Sequence, residues 1–288
     1  MNRFATSSRI LAGLLVASLF GHFYVLGQYW QDRRHLARRA AQIIDPSLPP
    51  SEQTKQVLAS FHGMSQETNR SYFLSPLLEF LRPTARQVAD GGGDCADRSR
   101  LTVILLKMRD IPAQKWTLYY PKGHPHHSVV EVETEQGKMA VDPLFGLFYP
   151  RPSGGYYSVA DLRQNPDLVG ERVAEMEARH QEPLAAPVER YSVSTYTYAY
   201  ATTFNWEKSA FTRFLYKILR TAMGSRIDDV HRPVWPEEPA LVVSFVIALF
   251  EILLILCLLL TARFAPQPVH RQALAPDPRS NRSVPAQA

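Results

Sequence analysis

Two long apolar runs, one near each end, restrict this 288-residue chain more than any other feature of it. The first, residues 10–26, carries no charge and follows Arg3 and Arg9. A basic start before an apolar run has the form of a secretory signal. The run continues into bulky residues (His22, Phe23, Tyr24, Val25) with no small-x-small cleavage site, so an uncleaved signal anchor over residues 1–30 is expected. The second run, residues 240–262, is long enough to cross about 30 Å of hydrocarbon and predicts a transmembrane helix over 239–263. Its one charge, Glu251, falls near the midplane, where an ionisable group is costly and requires a partner. That partner is expected to be Ser244, His22, another part of the first helix, or a helix of a second membrane protein.

Two spans put both termini on one side of a bilayer. Arg263, Arg271, Arg279 and Arg282 follow the second run and Glu237 and Glu238 precede it, which favours a cytoplasmic C-terminus. Arg33, Arg34, Arg38 and Arg39 follow the first run, but they open a segment of about 200 residues, and long segments translocate with little regard to charge. The middle of the chain is therefore expected outside the cytoplasm. A net charge of +5 invites a nucleic-acid reading, yet the arginines gather beside the apolar runs and in the tail, and no nucleic-acid motif is present. Their expected partner is the lipid bilayer, through its anionic headgroups. Of the two cysteines, Cys257 lies inside the second run and Cys95 in the middle segment, so an intrachain disulfide is not expected. A lone thiol in an exported domain is a candidate for reactivity.

Residues 31–90 read as the helical start of that domain. A basic helix over 31–44 stops at Asp45-Pro46, Pro49-Pro50 form a linker, Ser51 caps a helix reaching residue 61, and Pro76 opens another through Leu81. A glycine run, Gly91-Gly92-Gly93, then precedes Asp94, a good N-cap for a helix starting at Cys95. Residues 101–106 are apolar on all sides, as a central buried helix requires, and the helix should end near Asp110. From there the period changes to two, over 115–120, 127–133 and 138–142, with a turn containing Gly137. A helix followed by antiparallel strands gives an α+β fold, with its centre in residues 91–150. In the remaining part, 151–238, a helix over 167–180 and an edge strand rich in Tyr and Thr over 191–203 are expected. An amphipathic helix over 206–223 follows, with Phe211, Phe214, Leu215, Ile218 and Leu219 apolar and Lys208, Arg213, Lys217 and Arg220 basic. It either lies on a bilayer or packs on the core. The tail, 264–288, is rich in Pro, Ala and Arg and reads as disordered.

Thiol catalysis needs a thiolate, a neighbouring imidazole and a group that orients the imidazole. Cys95 at a helix N-terminus has the dipole and free N–H groups that favour an anion, and those N–H groups also suit a developing oxyanion. His127 and Asp142 lie on the two strands of the expected hairpin. A turn centred between Thr134 and Glu135 sets them directly opposite, about 4.5–5.5 Å apart at Cβ. A bulge at Gly137 would shift that register.

The stretch GGGDCADRSRLTVILLKMRDIPAQKWTLYY, with HHSVVEVETEQGKMAVDPLFG after it, resembles the transglutaminase-like superfamily of papain-like cysteine proteases. The resemblance covers residues 91–146: a Gly-x-Cys opening a helix, an Ile-Pro-Ala segment, a His-x-x-Val-Glu-Val strand and a Val-Asp-Pro. It implies a papain/transglutaminase-like core in which a helix carrying the Cys packs on an antiparallel sheet carrying His and Asp. Cys95 is then the nucleophile, His127 the general base and acid, and Asp142 the residue orienting the histidine. It also implies a bacterium, and hence a periplasmic domain on the inner membrane. Two positions depart from the pattern: Ala96 and Ser128 stand where many relatives have an aromatic residue, leaving the cleft less aromatic. Gln87 is the candidate for an upstream oxyanion donor.

His124 and His126 crowd His127, but Pro125 between them and the lack of a second nearby cysteine disfavour a zinc site, and no metal or cofactor is expected. Glu131, on the face of His127 by alternation, is expected to be structural. No acidic calcium loop and no amine-binding site are evident, so amide hydrolysis of a peptide or protein substrate near the membrane is favoured over cross-linking. The alternative is a non-catalytic scaffold or binding module of a cell-envelope assembly, in a polysaccharide-related setting among others.

Overall fold

The computed structural model describes residues 3–65, 82–120, 123, 125–178 and 198–264. The chain divides into two compact units, residues 22–246 and the two terminal segments 1–21 with 247–288. The larger unit is a mixed α+β domain.

Helix α1 (Arg3–Ile43) runs unbroken through the first apolar stretch and the basic segment after it. The sequence reading kept these apart, but no proline or cap separates them. At 1.5 Å per residue α1 is about 60 Å long, twice the hydrocarbon thickness of a bilayer. Its far end belongs to the domain, where Leu36 and Ala40 are buried in the core. It stops where Pro46 disfavours helical backbone at Asp45. Helix α2 (Pro50–Ala59) starts with Pro50 in its first turn, a position where a missing N–H is harmless. Ser51, expected as its cap, instead donates through Oγ to Glu135 Oε1 at 2.5 Å and ties α2 to a distant turn. The helix expected after Pro76 lies outside the described residues.

Helix α3 (Ala85–Gly91) opens on a capping box between Thr84 and Gln87, and α4 (Cys95–Lys107) follows after three residues. Leu101, Ile104, Leu105 and Leu106 of α4 are fully buried, at about 1.5–3 kcal/mol each. The chain leaves α4 through Asp110, which takes the left-handed φ of 57° that a short polar side chain tolerates.

Strands β1 (Ala113–Tyr119), β2 (Pro125–Thr134), β3 (Gly137–Asp142) and β4 (Leu147–Phe148) form one antiparallel sheet in that order. One face, through Val130, Val132, Met139 and Val141, packs on α1, α2, α3 and α4. The other, through Trp116, Leu118, Val129 and Ala140, packs on α5 (Val159–Gln164), α6 (Asp167–Ala178) and Tyr198. Both faces of the sheet are therefore covered.

The expected strand over 191–203 is not formed where it is described. Tyr198–Tyr200 make a 3-10 turn, and Thr202 alone pairs with the sheet, exchanging backbone hydrogen bonds with Thr117. Residues 191–197 lie outside the described part, as do 179–180 of the expected 167–180 helix. The expected 206–223 helix is divided. Trp206–Lys208 is a 3-10 turn, and Ser209 then caps α7 (Ala210–Met223) with Thr212 in a reciprocal box. No side chain of α7 is buried, so it is not a core helix.

Helix α8 (Pro239–Arg263) contains the second apolar run. It and α1 are both long and apolar enough to cross a membrane, and their apolar windows are almost wholly exposed, unlike the core helix of a soluble protein. Within the terminal unit, Ser18 Oγ donates to Glu251 Oε1 at 3.3 Å, so Glu251 finds a partner on the first helix.

Candidate functional site

The glycine run sets the position of Cys95. Gly92 has φ 87°, and a Cβ there would sit 2.2 Å from the Ser65 carbonyl oxygen. Only glycine lets these backbones meet. Gly93 N–H donates to the same carbonyl at 3.1 Å. Asp94 then caps α4, its Oδ1 accepting from the Asp97 N–H at 2.9 Å. Cys95 is the first residue of the helix, where N–H groups have no intrahelical acceptor.

Arg98, one turn on, is fully buried and locks this corner. Its Nε donates to Gly93 O at 3.1 Å and its Nη2 to Met64 O and Ser65 O at 2.9 and 3.1 Å. Nothing in the spacing marked Arg98, because helical periodicity treats an arginine as solvated.

His127 comes from β2. Opposite it, β1 and β2 are in register at Leu118↔His127, and the pairing then skips His126 to match Tyr119 with Pro125. His126 is therefore the extra residue of a bulge, a device that increases local twist and re-aims side chains. Its Nε2 pairs with Tyr120 Oη at 2.9 Å. Burial, with His127 beside it, lowers its pKa from the ordinary value. His124 lies outside the described residues.

Asp142 ends β3. The hairpin register runs Val130↔Val141 through Thr134↔Gly137, centring the turn between Glu135 and Gln136. That is one residue later than the sequence reading, with Gly137 at φ 97° absorbing the change. Continued by one pair, this register sets Asp142 opposite Val129, so His127 is a diagonal neighbour and not the direct one. Diagonal neighbours stand about 7–8 Å apart, a gap that an imidazole spans. His127 Nε2 and Asp142 Oδ2 are 2.6 Å apart. The other carboxylate oxygen accepts from Leu144 N and Phe145 N at 3.0 and 3.3 Å, in the turn that Pro143 begins. The carboxylate is fixed from both sides.

Burial disfavours charge on the His127 ring, but the Asp142 carboxylate and its hydrogen bond, with a further one to Cys95, prevail and raise the pKa to about 10. With Nε2 committed to Asp142, Nδ1 is the nitrogen left for the thiol. Phe145 covers the ring, its centroid 5.7 Å away. The structure thus brings Cys95, His127 and Asp142 together. Gln87 accepts at Oε1 from the Thr84 N–H at 2.8 Å as part of the α3 cap. Glu131 accepts from the Val159 N–H at 2.8 Å and from Lys138 Nζ at 2.9 Å, joining α5 to the sheet.

Cys95 and His127 line a cavity of about 420 Å³. A charged group that the sequence reading missed forms its far side. Lys115 Nζ lies 2.7 Å from Glu237 Oε2, and Arg232 Nη2 lies 2.5 Å from Glu237 Oε1. Burial pulls Lys115 down to about 8 against the pull of Glu237, and Glu237 is held below the usual carboxylate range by its two cations despite burial. Pro239 and Val242, from the first turn of α8, complete the wall. Among the described residues, no three His, Cys, Asp or Glu side chains converge as a metal site would need. Comparison of the chain with models of known families, with curated proteins and with solved structures finds no match.

Proposed function

We propose that this protein is a membrane-anchored thiol hydrolase or acyltransferase with a transglutaminase-like core, acting on peptide or amide bonds outside the cytoplasm, in the periplasm of a bacterium. The observation that carries the reading is the arrangement around His127: Asp142 holds one ring nitrogen at 2.6 Å while the ring hydrogen-bonds the Cys95 thiol, beside a cavity. A Cys-bearing helix packed against β1 and the His-bearing β2 of an antiparallel sheet, with Asp142 on the next strand, supports the same core.

In this mechanism the Cys95 proton already resides on the His127 ring, as the raised pKa of that ring favours, and the thiolate attacks the amide carbonyl carbon. The carbonyl electron pair moves onto oxygen, where N–H groups of the first turn of α4 are suited to stabilise it. Collapse breaks the C–N bond as the His127 Nδ1 proton passes to the leaving amine, leaving a thioester on Cys95. Water, deprotonated by His127, then attacks the thioester, and the S–C bond breaks to release the acid. Asp142 keeps the ring orientation and its charge throughout.

The test is labelling of Cys95 by a thiol-reactive electrophile at neutral pH in a Cys257→Ala background. Fast labelling that slows in His127→Ala and Asp142→Ala is expected. A rate equal to that of an unstructured peptide cysteine, untouched by His127→Ala, would leave the non-catalytic scaffold as the better reading.

A further inference from the structure

Helix α7 presents three distinct sides. At 3.6 residues per turn, Phe211, Phe214, Leu215, Ile218 and Ala222 fall within about 100° of arc. A second side attaches α7 to the domain: the Tyr216 ring lies 5.3 Å from that of Trp206, and Tyr216 Oη donates to Asp228 Oδ1 at 3.1 Å. The third carries Arg213, Lys217 and Arg220, and the helix holds no acidic residue.

The apolar side is open. Phe211 is 70% exposed, Phe214 61% and Ile218 50%, and among the described residues nothing buries any α7 side chain. Two large aromatics and an isoleucine in a row on a capped helix form a face that water does not favour.

The same compact unit identifies what can cover it. It contains the first two turns of α8, a helix long and apolar enough to cross a membrane, starting only sixteen residues after α7 ends. At that start Trp235 and Phe245 are exposed and in tilted ring contact, centroids 6.0 Å apart, a pairing suited to the headgroup level of a bilayer. The unit is therefore tethered at a lipid surface, and a helix with an apolar face and only basic charges matches an anionic one.

We propose that α7 lies in the plane of the bilayer surface. Phe211, Phe214 and Ile218 enter the boundary between headgroups and acyl chains, and Arg213, Lys217 and Arg220 meet anionic headgroups. This placement does not depend on the thiol chemistry.

The full chain, with Cys95→Ser and Cys257→Ser, is reconstituted in phosphatidylcholine–phosphatidylglycerol vesicles and spin-labelled at single introduced cysteines. The positions are Phe211→Cys, Phe214→Cys and Ile218→Cys on one side, Arg213→Cys and Lys217→Cys on another. Power saturation measures access to oxygen, which prefers lipid, and to a nickel chelate, which prefers water. The oxygen-to-nickel ratio is expected to be several-fold higher at the three apolar positions, at a depth of about 5–10 Å. A water-like ratio at all five would overturn the proposal. So would apolar positions closed to both reagents, which would mean that a second copy or another segment covers them. Leaving out phosphatidylglycerol should lower the ratio at the apolar positions, and an unchanged ratio would overturn the role given to the basic residues. Phe214→Glu with Ile218→Glu, read from labels at Phe211→Cys, should bring that site into water if lipid holds the helix.

Discussion

Replacing Asp142 by Asn isolates the charge that the candidate site depends on. Asparagine keeps an oxygen able to accept from His127 Nε2 but removes the negative charge. In the native site, burial alone would push the ring below the ordinary 6.5; Asp142, aided by Cys95, raises it to about 10 instead. That difference is worth ~5 kcal/mol in favour of the charged ring, at about 1.36 kcal/mol per pH unit. Without the carboxylate, burial dominates and the ring should titrate below 6.5. Histidine ring carbon-13 NMR across about pH 5–10 reads this directly, with His127→Ala assigning the signal. The wild-type His127 resonance should stay that of an imidazolium through neutral pH, and that of Asp142→Asn should be neutral at pH 7. Cys95 alkylation should slow in step, since even a third of ~5 kcal/mol is about tenfold in rate. A wild-type ring titrating near 6.5, or the same titration in both proteins, would refute the electrostatic reasoning.

The raised His127 pKa also links pH to stability. A group whose pKa is higher in the folded state contributes fully below its unfolded value and loses that contribution as pH climbs through the folded one. Between 6.5 and about 10 the wild type should therefore lose more thermal stability in detergent than Asp142→Asn; parallel declines would contradict this. Cys95→Ala should abolish labelling and amide turnover while costing under about 1 kcal/mol, because the side chain is only half buried; an unfolded variant would make the thiol structural. Gly92→Ala forces a Cβ against the Ser65 carbonyl at a left-handed φ. It should cost about 1–3 kcal/mol and slow Cys95 labelling, and unchanged melting with unchanged labelling would count against the glycine argument. Glu237→Ala leaves the buried Lys115 without its carboxylate and should cost about 3–5 kcal/mol in urea titrations. The double replacement Lys115→Met, Glu237→Leu should recover most of that loss, and a single variant as stable as wild type would show the pair to be idle.

What the sequence made legible was local. The Asp94 cap, the buried run 101–106, the alternation of β2 and β3 and the two apolar helices each write their periods into consecutive residues. What it hid was distant or irregular. Lys115 and Glu237 are 122 positions apart, and no spacing rule joins a strand residue to one read only as a charge before a span. The Tyr- and Thr-rich segment has strand composition, yet among its described residues Thr202 alone bridges to Thr117. Composition measures fit to a pleated surface and says nothing of whether an edge is free to be joined. Gln87, the candidate oxyanion donor, also closes a capping box through its carboxamide oxygen, a second role that the Thr-x-x-Gln spacing carries locally.

The hairpin explains why the site was readable even though its register was misplaced. Moving the turn centre by one residue changes which residues face each other by two positions, and side chains on a strand alternate with period two. His127 and Asp142 therefore stay on one face under either register, and only their offset changes, from direct to diagonal. An imidazole is long enough to cross the difference, and the observed 2.6 Å contact uses that reach. A slip that altered pairing by a single position would have been different in kind, sending one of the two side chains through to the opposite face. The bulge at His126 performs such a one-residue step on the β1 side of β2. It lies just before His127, so His126 is displaced while His127 keeps the face it shares with Asp142. An insertion or deletion of one residue between His127 and Gly137 should consequently abolish the contact, whereas a two-residue change in the turn at 135–136 leaves both side chains on the same face.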